Sequence, residues 1–230
     1  MLIIAILAVI VGAITYTVIK DRSGLELKGP QTAIAAESVD MAELSRAGGL
    51  NDMIMGSKNA PVTMIEYASL ICHRCAEFDT EILPGLKRKY ITTGRMRLIF
   101  REFAFDDLAL AGFMIARCAP EDKYFPLIDT MFKRQQVWLA ATADPRTELF
   151  KIARLSGMTK QSFNACLKNE TLAREINKVY THAEKKLGIE GVPTFFINGQ
   201  VLVGNQPLER FESVINTALA KASNPPTENR

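Results

Sequence analysis

The sequence predicts an α/β protein: a mixed sheet flanked by helices, carrying an inserted all-helical subdomain and preceded by an N-terminal apolar segment. Three observations lead there. A strand, a helix and a second strand follow one another between residues 61 and 103. A long stretch without any strand pattern comes next, and a tight hairpin with an amphipathic helix closes the chain.

The 230 residues suffice for one medium domain with an insertion and appendages. Hydrophobic residues make up 48%, ample for a core. A formal net charge of +3, with Lys and Arg scattered along the chain, argues against nucleic acid as a partner.

Leu2 to Ile19 is an almost unbroken apolar run. A membrane-spanning helix needs about 20 such residues and a signal-peptide core about 7–15, and this run falls between. Lys20 and Arg22 follow it and no cation precedes it. That nearly neutral flank carries little topological weight, since long domains translocate largely regardless of charge. Ala33-Ile34-Ala35 has the small-x-small form of a cleavage site, but a charged stretch separates it from the run. An uncleaved membrane anchor is favoured over a cleaved leader for residues 1–19. Both place the folded part outside the cytoplasm.

Residues 20–50, of mixed polarity and interrupted by Gly24, Gly29, Pro30 and Gly48-Gly49, read as a linker. The first part of the sheet domain is assigned to 51–103. Pro61 to Tyr67 is β-branched and aromatic and reads as a strand. After Cys72 the residues Ala76, Phe78, Ile82, Leu83 and Leu86 keep a helical period to about Tyr90, with a kink expected at Pro84. Arg95 to Phe103 is a second strand. Residues 104–171 form the helical insertion, with breaks near Pro120, Pro145, Gly157 and Asn169. The domain resumes over 172–223. It holds strands Thr194–Asn198 and Gln200–Val203, joined by the hairpin signal Asn198-Gly199, and a helix from Leu208 to about Ala222. Residues 224–230 are a polar tail.

The chemistry sits in Cys72-His73-Arg74-Cys75. Cysteines at i and i+3 at a helix start share one face. The first lies at the helix N-terminus, where unpaired N–H groups and the positive end of the dipole favour thiolate over thiol. His73 and Arg74 place cations beside it. Half a zinc site is the competing use of a Cys-x-x-Cys, but no second such pair or His-x-x-x-His occurs. A purely structural disulfide is the other, and the preceding strand and following helix count against it. Trp138 and His182 receive no functional role.

A second motif, Gly191-Val192-Pro193-Thr194-Phe195, stands just before the hairpin. Together with Glu66-Tyr67-x-Ser69-x-x-Cys72-x-x-Cys75 and the helical insert, it makes the chain resemble the thioredoxin superfamily, and within it the DsbA family of bacterial dithiol oxidases, over roughly residues 51–222. The resemblance implies a thioredoxin-like sheet and disulfide formation in exported proteins through Cys72 and Cys75. It implies a cis Pro193 packed against the cysteines, with Val192 and Thr194 in the loop and the Val192 backbone receiving the substrate chain. Glu66 resembles the buried acid that the family places beneath the disulfide, able to exchange protons with Cys75. Redox tuning is thus assigned to His73, Arg74 and Glu66. The remaining cysteines, Cys118 and Cys166, are expected to form a structural disulfide by analogy with relatives that carry a second one, the alternative being two buried thiols. The family commonly has Pro-His between its cysteines, whereas this chain has His73-Arg74, which leaves the potential open.

The resemblance further implies reduced exported proteins as substrates and a quinone-linked inner-membrane re-oxidant of the DsbB type, with no bound cofactor and no metal. Two other readings stand beside it. One is an isomerase or reductase of the same fold. The other is a copper-binding module using Cys72, Cys75 and His73, since soft thiolates suit Cu(I).

Overall fold

The computed structural model describes residues 41–45, 48–140 and 144–224. The apolar run 2–19, most of the expected linker and residues 225–230 of the tail lie outside them. Among the described residues no helix is long and apolar enough to cross a membrane.

In chain order the elements are α1 (Met41–Leu44), β1 (Met53–Met55), β2 (Val62–Ala68) and α2 (His73–Glu77). Then come α3 (Leu83–Leu86), β3 (Met96–Glu102), α4 (Asp107–Cys118), α5 (Tyr124–Lys133) and α6 (Gln135–Trp138). They are followed by α7 (Pro145–Ala153), α8 (Lys160–Leu167), α9 (Glu170–Leu187), β4 (Thr194–Ile197), β5 (Gln200–Val203) and α10 (Leu208–Ser223). The five strands form one mixed, thioredoxin-like sheet in the order β1-β3-β2-β4-β5. Only β2 and β3 run parallel, joined by the helical crossover that starts at the cysteine pair.

The sheet's period-2 alternation sorts its side chains into two layers. From β2, Ile65 and Tyr67 pack with Ile99 and Phe196 against Leu44, Val179 and Ala183. Val62 and Met64 face the other way, onto Phe78, Leu86, Tyr90, Phe211 and Ile215. Ala68 shares that second face and joins Cys75, Phe100 and the core of the helical insert. Alternation therefore places Glu66, between Met64 and Ala68, under the helix that carries Cys75.

The crossover helix is not uniform. Pro84 lies in the first turn of α3, and the turns Phe78–Ile82 and Lys87–Ile91 widen to π geometry, so the α-ladder is interrupted where a kink is expected. Further along, α9 continues through the boundary expected at 171/172. Leu172, Ala173 and Ile176 pack on the insert, and Val179 and Ala183 on the sheet. Asn169 caps its start by accepting from the Leu172 N–H, and Gly188 ends it in the left-handed region. Asn198 and Gly199, both at positive φ, turn the hairpin, and the Asn198 side chain reaches the Thr63 N–H at 2.8 Å.

Buried ion pairs tie the insert and the first strand to the sheet. Glu102, fully buried at the end of β3, accepts from the Arg117 guanidinium on α4 and from the Tyr124 hydroxyl at 2.7 Å. On the other face Arg101 donates to both Asp52 oxygens and, at 2.7 Å, to the Tyr67 hydroxyl. Gly112 in the middle of α4 permits a close approach. A Cβ there would stand 2.7 Å from Leu70 Cδ1, two residues before Cys72.

Candidate active site

Cys72 is the N-cap of α2. Its backbone is extended (φ −81°, ψ 118°), and its carbonyl accepts from the N–H groups of Cys75 and Ala76 at 3.1 and 3.2 Å. Its Sγ lies 3.4 Å from the Cys75 N–H, so the sulfur occupies the place a serine or aspartate oxygen usually takes at a helix start. Cys72 is half-buried and Cys75 fully buried, both as free thiols. One sulfur is open to a partner, and the other is reachable only through it.

This geometry separates the two thiols electrostatically. Cys72 is lowered to about 7, first by the Cys75 thiol donating to it, then by the backbone N–H groups of Cys75 and Arg74 and by the charge of His73. Burial pushes Cys75 far up, reinforced by its position as donor to Cys72. What Arg74 supplies to the sulfur is its main-chain N–H; its side chain is exposed. His73 is exposed too and pairs with Glu77 one helical turn on, at 3.2 Å.

Opposite the pair stands the loop before β4. The Val192–Pro193 peptide is cis, and the Val192 carbonyl faces Cys72 Sγ at 3.4 Å. Two bonds fix the loop: Thr194 Oγ1 donates to the Gly191 carbonyl at 2.7 Å, and the Gly204 N–H donates to the Pro193 carbonyl at 2.8 Å. The structure thus brings together Cys72, Cys75, Val192, Pro193 and Thr194 from segments some 120 residues apart.

Glu66 lies in the sheet between Phe100 and Phe195 and is 1% exposed. Its Oε1 has no hydrogen-bond partner. Burial holds its carboxyl well above the ordinary range, helped by Asp79 and Cys72, so the neutral form is favoured there. Cys118 on α4 and Cys166 on α8 are joined by a disulfide with a Cα separation of 6.1 Å. Trp138 is fully buried in the insert and donates to the Met131 carbonyl, while His182 faces Glu43 at 3.6 Å.

Two groups at the site have no counterpart in the sequence reading. Gln135, 4% exposed at the start of α6, donates from its amide to the carbonyls of Leu70 at 2.8 Å and Cys72 at 3.0 Å. Nothing in the run Arg134-Gln135-Gln136 separates it from its exposed neighbour. Asp79 lies one turn after Cys75 with an unpartnered Oδ1, raised to about 7 by burial and by Asp129. An acid on the apolar face of a helix was the available signal. Among the described residues no three His, Cys, Asp or Glu side chains are grouped to hold a metal ion.

A sheet of this order, an open low-pKa thiol at a helix start and a cis-proline loop against it define a thioredoxin-fold dithiol protein. The thioredoxin family model matches residues 49–217. The crystal structure of Wolbachia pipientis α-DsbA1 superposes with a TM-score of 0.71 at 34% identity, covering 75% of this chain and 93% of that one. Oxidised BdbD of Bacillus subtilis, 17% identical with a TM-score of 0.65 over 80% of this chain and 97% of that one, shares the fold. A Rickettsia bellii protein provisionally named a protein-disulfide oxidoreductase is 30% identical over 175 residues, 76% of this chain. The chain spans 60% to 67% of the length of the rickettsial relatives it matches. The chain belongs to the thioredoxin family, in its DsbA-like branch.

Proposed function

We propose that the chain is a dithiol oxidase that introduces disulfide bonds into exported proteins. The observation that carries this reading is the pairing of an open Cys72, lowered to about 7 and 3.4 Å from the Val192 carbonyl, whose backbone can align a substrate chain, with a buried Cys75 driven upward. A sulfur of low basicity is a good leaving group, and stabilising the thiolate stabilises the reduced state, which makes the disulfide the stronger oxidant.

A substrate thiolate attacks Cys72 Sγ of the oxidised pair. The Cys72–Cys75 bond breaks, and Cys75 leaves with the electron pair and takes up a proton, for which the buried Glu66 carboxyl, its pKa raised, is the nearby acid. A second substrate thiolate then attacks the substrate sulfur of the mixed disulfide and expels Cys72 as a thiolate. Two electrons pass from substrate to enzyme. The substrate gains a disulfide and the enzyme becomes a dithiol. A DsbB-type quinone-linked membrane protein takes those electrons in turn. The setting is the periplasm, with residues 2–19 as a membrane tether or a removed leader.

The test is the equilibrium reduction potential of the Cys72–Cys75 pair in the full chain, titrated against glutathione and read by thiol mapping so that Cys118–Cys166 is counted separately. A value well above that of thioredoxin (about −270 mV) supports an oxidase. A value near thioredoxin sinks this reading in favour of a reductase or isomerase.

A further inference from the structure

Beside Cys72 a groove of about 740 Å³ runs between α9, the segment after β3 and the loop Gly188–Val192. Its floor is aromatic. Phe103 stacks edge-on against Tyr180 at 4.9 Å between ring centroids and meets Phe105 at 6.2 Å. Phe105 is 49% exposed, an unusual setting for a large apolar ring and one that leaves a face available. Among the described residues, the charged side chains lining this groove are Glu184 and Glu190 alone, both exposed. The Tyr180 hydroxyl donates to Glu184 at 3.0 Å, which holds that carboxylate at the rim. Along the loop, a Cβ added at Gly188 or Gly191 would meet no atom within 4 Å, so the backbone wall is open to a neighbouring chain.

We propose that this groove is a specificity subsite that selects reduced polypeptides carrying a large apolar side chain and a basic side chain beside the reacting cysteine. The inference rests on the oxidase reading and deepens it. A chain laid against the Val192 backbone with its sulfur on Cys72 has its next residues over the groove, because Cys72 and Val192 themselves line it. The apolar side chain covers Phe105 and Tyr180, and the lysine or arginine reaches the two carboxylates. Complementary charge at such a rim acts mainly on encounter and register.

The test uses the oxidised full chain and a set of matched dithiol peptides that differ at one flanking position (Lys, Ala or Glu) and at its neighbour (Phe or Ala). Oxidation rates are divided by the rate with dithiothreitol for the same variant, so that any general effect on Cys72 cancels. Lys over Glu is expected to be preferred by about three- to tenfold, and Phe over Ala by about tenfold. The charge preference should shrink at high salt. Glu190→Lys should invert the charge ranking without reversing the aromatic one, and Phe105→Ser should reduce the aromatic preference and keep the charge ranking. A wild-type chain that ranks the peptides equally, or a Glu190→Lys ranking identical to wild type, overturns the groove while leaving Cys72 exchange intact. Oxidation of dithiothreitol with no oxidation of any peptide overturns the oxidase reading and the groove together.

Discussion

Replacing Gln135 by leucine removes both hydrogen bonds that tie α6 to the loop carrying Cys72. Leucine fills most of the space, so the loss is polar rather than steric. Each neutral hydrogen bond contributes about 1 kcal/mol net, and a carbonyl left without its donor in a buried site costs about 1–3 kcal/mol. The Cys72 carbonyl keeps the N–H groups of Cys75 and Ala76, whereas the Leu70 carbonyl loses its Gln135 donor. The sum is about 2–4 kcal/mol, or a fall in Tm of about 4–16 °C for a domain of this size. Freed of its tether, the N-cap residue holds its sulfur less firmly against the helix start, so the Cys72 pKa should rise from about 7. Calorimetry of the reduced chain gives the first number, and thiolate absorbance against pH gives the second. A Tm within about 1 °C of wild type refutes the energetic argument. A lowered Tm with an unmoved thiol titration reduces Gln135 to a brace between lobes and refutes its positioning role.

Three other outcomes are expected. Cys72 titrates at about 7 folded and at about 8.5 in an unfolded chain, so its stabilisation of the reduced protein is present above the unfolded value and lost as pH falls through about 7. Cys72→Ala should therefore destabilise by about 1 kcal/mol more at pH 9 than at pH 6, allowing for solvent screening at a half-exposed sulfur, and equal effects in urea unfolding at both pH values would refute this. Glu66 is raised, so its penalty is absent below the unfolded carboxyl pKa of about 4.3 and grows as pH rises above it; Glu66→Gln should be more stable than wild type by about 1–3 kcal/mol at pH 7.5 and near parity at pH 4, read by Tm at each pH. The Cys118–Cys166 bond spans a sequence separation of 48, and replacing both cysteines by alanine should cost about 4 kcal/mol in the chain-entropy model, a fall of about 8–16 °C in Tm.

What could be read from the residues divides along physical lines. The strand at Val62–Ala68 and its partner after Arg95 announce themselves because both are long enough to show β-branched and aromatic enrichment, whereas Met53–Met55 is three residues and shows no period at all. The helix breaks at Asn169 and Pro145 are legible as caps, each accepting or opening where local chemistry dictates. Cys72 at a helix start followed from the strand before it, the helical period after it and the spacing of the two cysteines. Gln135 did not, because a hydrogen bond across 63 residues leaves no local mark, and one glutamine in a polar run looks like the next. The network of Glu102, Arg117 and Tyr124 was hidden for the same reason: charged side chains in strands and helices read as surface until the partner that neutralises them is in place.

The two outer strands of the sheet are short. β1 has three residues and β5 four, and the latter is bounded by Gly199 and Gly204 at positive φ. A dithiol oxidase of the kind proposed would meet unfolded segments in search of a strand to pair with, and a long free margin would hold them after the chemistry was over. Here the backbone offers a few bonds on each side and then turns away. On the proposed reading a client would be aligned at the Val192 loop for the lifetime of a mixed disulfide, and the described sheet margins would offer it only short strands to pair with. Short margins would then favour release of a client over lasting strand pairing.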